Sequence, residues 1–397
     1  MSADEPLTLS SDDDRFARFR LIGWWDQQRL AASRALVVGA GALGNEIVKN
    51  LALLGVGEVL VADLDRIELS NLSRSVLFRT VDCGQAKAEV ACRRAVDLYP
   101  EMRAWAFHGN IVYDLGLGVY RWADVIFGAL DNREARVAIN AAAAKVGKPW
   151  IDGAIERLSG VARVFDSAVG PCYECTMSEV DWKMLEARRS CALLTRDEMT
   201  AGKVPTTPTT SSVIAGIQVQ EGVKLLHGLP AMSGQGFVFD GENHHSYLVD
   251  YARLPECLAH EPFGDVEVLP WSVATVTGRE LLERARADLG SGAVVDFNHD
   301  LLSALVCPQC GEEEPRRGSL GKTTEADGRC PTCDGQRAPM LYHTLDDACP
   351  ALDVPLAELG VPAWDVVSAR AGEQQRWYEF GADRDRVLGP RVGGLQS

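Results

Sequence analysis

Apolar and polar positions alternate along the chain in two rhythms. Residues 36–44 read Leu-Val-Val-Gly-Ala-Gly-Ala-Leu-Gly, a β-branched run that breaks into glycines, and apolar positions at helical spacing follow over 46–54. This predicts a strand, a tight turn and a helix. Further apolar runs at 59–62, 104–107, 125–129 and 150–151 predict strands, with helix-length stretches between them. That alternation predicts an α/β fold built on a mainly parallel sheet with helices on both faces. Residues 161–165 predict one more strand. The polar stretch at about 177–208 has no steady period and reads as a long crossover. A helix is expected over 209–226, and 236–240 with 246–250 alternate like an antiparallel pair.

The pattern then changes, so the first domain is expected over 15–262, after an acidic tail at 1–14. A smaller second domain is expected over 263–385, and 386–397 reads as another tail. Within the second domain, Thr277-Gly278-Arg279-Glu280 has capping-box spacing ahead of a helix to about residue 289. Residues 294–297 predict a strand, and 355–380 carry short apolar runs between Pro and Gly turns. No apolar run approaches the roughly 18 residues of a membrane span, and the acidic start is unlike a signal peptide. A cytoplasmic location is therefore expected.

Composition sharpens this picture in two respects. The net charge of −16 over 397 residues repels phosphate backbones and anionic lipid, so neither nucleic acid nor a membrane is expected as a partner. The 11 cysteines include closely spaced pairs. In a reducing compartment such pairs favour metal over disulfides.

Gly39-x-Gly41-x-x-Gly44 follows a strand and opens a helix, so backbone N–H groups and the positive helix end face an anion. Asp63, at the end of the second strand, is placed to bond a ribose, which makes the fold Rossmann-like. On these four residues alone a nicotinamide dehydrogenase is an equal reading. The next motifs change the balance: Asp63-Leu64-Asp65-Arg66-Ile67-Glu68-Leu69-Ser70-Asn71-Leu72-Ser73-Arg74, then Gly84-Gln85-Ala86-Lys87-Ala88, then Asp131-Asn132 with Arg136. In order and spacing, over about 15–260, they resemble the ThiF/MoeB and ubiquitin-activating enzyme superfamily. The resemblance implies ATP-dependent adenylation of the C-terminal carboxylate of a ubiquitin-like protein, with release of pyrophosphate. It implies that Asn71, Arg74 and Lys87 contact the triphosphate, that Asp63 contacts the ribose and that Asp131 holds Mg²⁺. Asp65 and Asn132 belong to the same nucleotide motifs. Arg15-Phe16-Ala17-Arg18 is similar to the family's N-terminal motif, whose last arginine reaches across a dimer interface. A homodimer completed by Arg18 is therefore expected.

Cys172-x-x-Cys175 and Cys257-x-x-His260 have ligand spacing for one zinc site of three sulfurs and one nitrogen. The family holds a structural zinc with two such pairs, and His260 stands where many members have Cys. Cys307-x-x-Cys310 and Cys330-x-x-Cys333, 19 residues apart, match a zinc ribbon over 307–333. Four thiolates leave no open position, so that second site reads as structural. Spacing alone also allows Cys172 and Cys175 to pair with one half of the ribbon, which would strand the other half.

Cys83, Cys92, Cys191 and Cys349 remain. Cys83 and Cys92 read as buried small hydrophobes. Cys191 follows Arg188 and Arg189, whose charges favour a thiolate. The compact ubiquitin-activating enzymes carry a catalytic cysteine on this crossover, upstream of a Pro-Thr-Thr like that at 205–207, though with a shorter interval to the proline. The leading expectation is thus adenylation of a ubiquitin-like modifier, thiol-ester formation on Cys191, and hand-over to a conjugating enzyme. The alternative is a ThiF/MoeB-type adenylyltransferase for a sulfur-carrier protein without a thiol ester. A third reading, a nucleotide-binding scaffold or dehydrogenase, predicts that NAD binds better than ATP.

Overall fold

A computed structural model describes residues 14–190, 205–323, 326–349 and 351–389. Helix α1 (Gln27–Ala32) leads into an eight-stranded sheet. Its strands are β1 (Arg34–Val38), β2 (Glu58–Asp63), β3 (Arg103–His108), β4 (Val125–Gly128), β5 (Trp150–Glu156), β6 (Ser159–Phe165), β7 (Gln235–Asp240) and β8 (His245–Asp250). Their spatial order is β3-β2-β1-β4-β5-β6-β7-β8. The first five strands are mutually parallel, and β6, β7 and β8 add antiparallel. The parallel-dominated α/β sheet is the architecture expected from the sequence.

Strand β1 is central, which explains its apolar sequence from Ala35 to Val38. Ala35 and Val37 face a core built with α2 (Ala42–Leu54), α3 (Lys87–Leu98) and, further along the chain, the helix over Pro208–His227. Leu36 and Val38 face the opposite core, shared with α4 (Leu117–Trp122) and α5 (Arg133–Lys145). Helices thus cover both faces.

The polar crossover contains a helix, α6 (Glu179–Ser190), that its sequence did not predict. Its period is weak because Leu185 and Trp182, which pack in the core, are interspersed with Asp181, Lys183 and Glu186. Cys191 lies outside the described residues. The helix over Pro208–His227, α7, starts at Thr207, whose side chain accepts from the Thr210 N–H, with Pro208 in its first turn. It stops at Gly228 (φ +69°), where the left-handed conformation lets two N–H groups bond back to Leu225 and Lys224.

The second sheet has six strands: β9 (Val266–Leu269), β10 (Val294–Val306), β11 (Glu313–Ser319), β12 (Ala338–Leu345), β13 (Val366–Ala371) and β14 (Gln374–Phe380). The order is β11-β10-β13-β14-β9, with β12 also pairing β10. Helix α8 (Gly278–Leu289) begins with the expected capping box of Thr277 and Glu280 and buries Leu281, Leu282 and Ala285 against this sheet. A last helical turn at Arg384–Val387 reaches past residue 386, where the sequence pattern gives out.

The two sheets share a core through Trp364. Its indole is buried among α4 and α5 residues, and a Cβ at Gly118 would lie 2.4 Å from the ring. The Gly118 N–H donates to the Trp364 carbonyl at 2.8 Å, and the Leu117 N–H donates to Asp365 Oδ1 at 2.9 Å. The Trp364 indole N–H donates to Glu379 at 2.7 Å, and Glu379 also pairs with Arg121 of α4. Truncating a buried Trp costs about 3–5 kcal/mol, so this seam ranks with the cores themselves. Among the described residues no helix is long and apolar enough to cross a membrane.

Candidate nucleotide and metal sites

The sheet order places β1 between β2 and β4, where successive connections run in opposite directions. A crevice opens there at the carboxyl ends of the strands. Gly39 (φ +96°) makes the turn at the end of β1, and a Cβ there would lie 2.4 Å from the Ala129 carbonyl oxygen. Gly41 caps α2, with nothing within 4 Å of its missing Cβ. At Gly44 a Cβ would lie 1.9 Å from the Gly39 carbonyl oxygen. Helix α2 therefore packs as closely on its own turn as glycine permits, with its first N–H groups aimed into the crevice. Gly44→Ala is expected to distort this turn at an overpacking cost of about 1–3 kcal/mol. ATP affinity measured by calorimetry should then fall roughly 5- to 150-fold.

Asn45 is a residue the sequence reading missed. It is fully buried, donates to the Ala40 and Gly41 carbonyls at 2.7 and 3.0 Å, and accepts from the Leu77 N–H at 2.9 Å. It clamps the glycine turn to the segment after Arg74. A short amide side chain directly after Gly44 of the turn motif was the available signal.

Asp63 ends β2 and accepts from the Ala40 N–H at 2.6 Å and the Asp65 N–H at 2.7 Å. Burial raises its carboxyl above the usual value, against the opposing pull of Lys87 and those two N–H groups. Lys87, buried at the start of α3, donates to Asp65 Oδ2 at 2.7 Å. Asn71 is buried in the turn Leu69–Asn71 and accepts from the Glu68 N–H at 3.0 Å. Arg74 is half-buried and donates to the Ser70 carbonyl at 2.9 Å.

On the other side of β1, Asp131 follows β4 and is exposed, with Asn132 Nδ2 at 3.4 Å from its Oδ1. Asn132 itself caps α5 by accepting from the Ala135 N–H at 2.8 Å. An exposed carboxylate at the crevice mouth suits a hard, hydrated cation such as Mg²⁺. Beneath this loop Asp152 is fully buried between Arg136 and Arg163. Burial works to raise its carboxyl, but the two guanidiniums outweigh it and hold it below the usual value.

Arg18 stands apart from this group. It is exposed, and its neighbours Phe16 and Arg15 pack at the C-terminal ends of α2 and α3, against Gly55, Tyr99 and the Leu98 carbonyl. The glycine turn and Lys87 occupy the N-terminal ends of those helices. The 12 residues of α3 separate them by about 18 Å along the axis.

The cysteines form two clusters in which all ligand atoms lie within 4.8 Å of one another. In the first, Cys172 Sγ is 3.8 Å from Cys175 Sγ and 3.6 Å from Cys257 Sγ, and Cys175 Sγ is 3.1 Å from His260 Nε2. His260 Nδ1 lies 3.4 Å from the Ser167 carbonyl, which orients the ring. In the second, Cys307–Cys333 and Cys310–Cys330 are each 3.5 Å apart. Two matched turns build it: Gly311 N–H donates to the Cys307 carbonyl and Asp334 N–H to the Cys330 carbonyl, each at 2.9 Å. These separations are too long for a disulfide, at about 2.05 Å. They fit the edges of a tetrahedron with Zn–S bonds of about 2.3 Å, so both clusters could hold zinc. The pairing of Cys172 and Cys175 is with Cys257 and His260, not with the ribbon.

Of the remaining cysteines, Cys92 is buried as expected but Cys83 is exposed. It sits just before Gly84 on a turn, where the apolar pattern of α3 has not yet begun.

Comparison with known proteins adds the family. Residues 14–259 match the model of the ThiF family. The sulfur carrier protein adenylyltransferase of Thermus thermophilus is 32% identical over 253 residues, 62% of this chain and 89% of that protein. The NEDD8-activating enzyme E1 catalytic subunit of Arabidopsis thaliana is 39% identical over 157 residues, 36% of this chain but only 34% of that protein. Among solved structures, Escherichia coli MccB with ATP superposes with a TM-score of 0.53 at 21% identity, covering 64% of this chain and 75% of MccB, a likeness of fold. With the glycine turn, the crevice at β1 and a match across residues 14–259, the chain belongs to the ThiF family and is an enzyme of the adenylyltransferase class.

Proposed function

We propose that the chain uses ATP to adenylate the C-terminal carboxylate of a small sulfur-carrier protein. The observation that carries this reading is the extent of the resemblance. It runs along 89% of a sulfur carrier protein adenylyltransferase but along only 34% of the NEDD8-activating subunit.

In the reaction a carboxylate oxygen of the carrier attacks the α-phosphorus of ATP. The bond to the bridging oxygen breaks, and pyrophosphate leaves with that electron pair. The product is an acyl adenylate, and no proton need move. The site must therefore gather negative charge more than supply an acid or base. The α2 N–H groups receive phosphate oxygens, Lys87 and Arg74 neutralise the triphosphate, and Asp63 holds the ribose. Asn71 keeps the turn that carries Arg74. Asp131 would hold Mg²⁺, which supplies positive charge to the phosphates when bound. Two structural zinc ions would occupy the cysteine clusters. The reach of about 18 Å along α3 supports a homodimer in which Arg18 serves the neighbouring crevice.

The finer reading adds a thiol ester. The Cys191 thiolate would attack the acyl carbon and expel AMP before hand-over to a conjugating enzyme. Its support is the Arg188-Arg189-Ser190-Cys191 sequence. One experiment separates the two. The chain is incubated with Mg-ATP in extract of its host and run on reducing and non-reducing gels, with ATP–pyrophosphate exchange measured in parallel. Exchange that depends on Asp131, without a thiol-sensitive adduct, supports the sulfur-carrier reading. An adduct lost in Cys191→Ala overturns it in favour of the thiol ester, and absence of exchange under every condition overturns both.

A further inference from the structure

The buried charges beneath Asp131 have no place in the mechanism above. Asp152 lies directly opposite Arg163 in the β5–β6 register and accepts from Arg163 Nε at 3.0 Å. Its other oxygen accepts from Arg136 Nε at 2.8 Å. The free arm of Arg136 turns upward: Nη2 donates to the Leu130 carbonyl at 2.5 Å and to the Gly153 carbonyl at 3.2 Å. Leu130 is the residue immediately before Asp131.

Burying such a triad is costly, and well-packed apolar side chains of similar volume often serve stability as well or better. What apolar side chains could not do is hold a carbonyl at a fixed point. The Asp131 carboxylate is exposed, with Asn132 Nδ2 of the next residue 3.4 Å from its Oδ1. Its position is then set by the backbone on either side. Asn132 fixes the downstream side by capping α5, and Arg136 fixes the upstream side through the Leu130 carbonyl. Asp152 and Arg163 in turn fix the guanidinium plane of Arg136.

We propose that Arg136 is a positioning residue for the metal-holding carboxylate: braced by the buried Asp152–Arg163 pair, it tethers the Leu130 carbonyl and so aims Asp131 into the crevice. This rests on the reading of Asp131 as the Mg²⁺ ligand. Lysine at this position would keep the charge beside Asp152, but its single ammonium could not span Asp152 and the Leu130 carbonyl in the fork geometry of a guanidinium.

The test uses the full chain with Mn²⁺ as probe and a non-hydrolysable α,β-methylene ATP. Free Mn²⁺ is read by electron paramagnetic resonance and folding by thermal melting. Arg136→Lys and Arg136→Gln should weaken Mn²⁺ binding about 10- to 100-fold, the usual cost of losing an outer partner of a metal ligand. Metal-free binding of the analogue should stay as in the wild type. Asp131→Asn should weaken Mn²⁺ at least as much. If Asp131→Asn loses Mn²⁺ while Arg136→Lys keeps wild-type affinity, the positioning role is overturned and the site reading stands. If Asp131→Asn itself binds as the wild type does, the site reading falls and the proposal with it. Should Arg136→Gln fail to fold, Arg136→Lys and Asp152→Asn carry the measurement. A lowered melting temperature with unchanged Mn²⁺ affinity would mark the triad as structural and overturn the proposal.

Discussion

Lys87→Ala is expected to lower ATP–pyrophosphate exchange by on the order of 10²–10³, the cost of removing one preorganised positive group from a site where charge accumulates. Lys87 is buried at the first turn of α3, with its ammonium held 2.7 Å from Asp65. It is ordered before any nucleotide arrives, so little of its interaction is lost to reorganisation. Stability should change far less. The Asp65 side chain is 56% exposed, and pairs with an exposed partner contribute about 0–1 kcal/mol. The measurement is exchange of labelled pyrophosphate into ATP, with a melting curve as control. A loss of exchange matched by loss of the folded fraction would count against a direct role. Arg at this position should recover only part of the activity, because a guanidinium is larger than the ammonium and Lys87 is buried.

The second large effect is expected at the Cys307 cluster. In zinc-finger peptides a structural zinc contributes an apparent ~10–16 kcal/mol at neutral pH. The hairpin ends it joins have few alternatives: β11 reads Glu-Glu-Pro-Arg-Arg-Gly-Ser and buries only Ser319 fully. Cys330→Ser should therefore reduce bound zinc from two ions per chain to one, as read by elemental analysis, and open 307–337 to limited proteolysis. The first cluster should keep its metal. Cys172→Ser should also remove one zinc, but its proteolytic signature should appear around Cys257 and His260, where the chain returns from β8. A preparation with both clusters intact and no zinc would sink this assignment.

The parallel half of the fold and the nucleotide turn were legible because each obeys a local rule. Strand β1 is buried on both faces and so is apolar from Ala35 to Val38, and Gly39 and Gly44 after it are required by approaches of 2.4 and 1.9 Å. The second sheet was mostly illegible. Strand β10 runs from Val294 to Val306, but only 294–297 could be read, because Asn298, His299 and Asp300 follow. Those residues lie where the β10–β12 register shifts, between Asp296 and Leu301. The charged β11 is a strand because β10 pairs with it and the Cys307 cluster closes its base, neither of which is a local signal. The two cysteine clusters were legible from spacing. The triad under Asp131 was not: Arg136, Asp152 and Arg163 meet only through the β5–β6 register and the return of α5. One clue was present, an aspartate within the apolar Trp-Ile-Asp-Gly-Ala of β5.

The seam at Trp364 bears on how this architecture could change over time. Gly116 and Gly118 leave room for the indole and its backbone, at approaches of 2.4–2.7 Å that any side chain would obstruct. Through those glycines the second sheet is part of the first sheet's interior and not a mere attachment. Its loss would uncover an indole-shaped hollow and leave the Leu117 N–H without its carboxylate, while Arg121 would lose Glu379. A change that removed the module would have to refill that hollow at the same time. The joint therefore resists piecemeal removal, and a chain cut after residue 262 should be insoluble, as read by its soluble fraction on expression, even though every nucleotide-site residue lies within it.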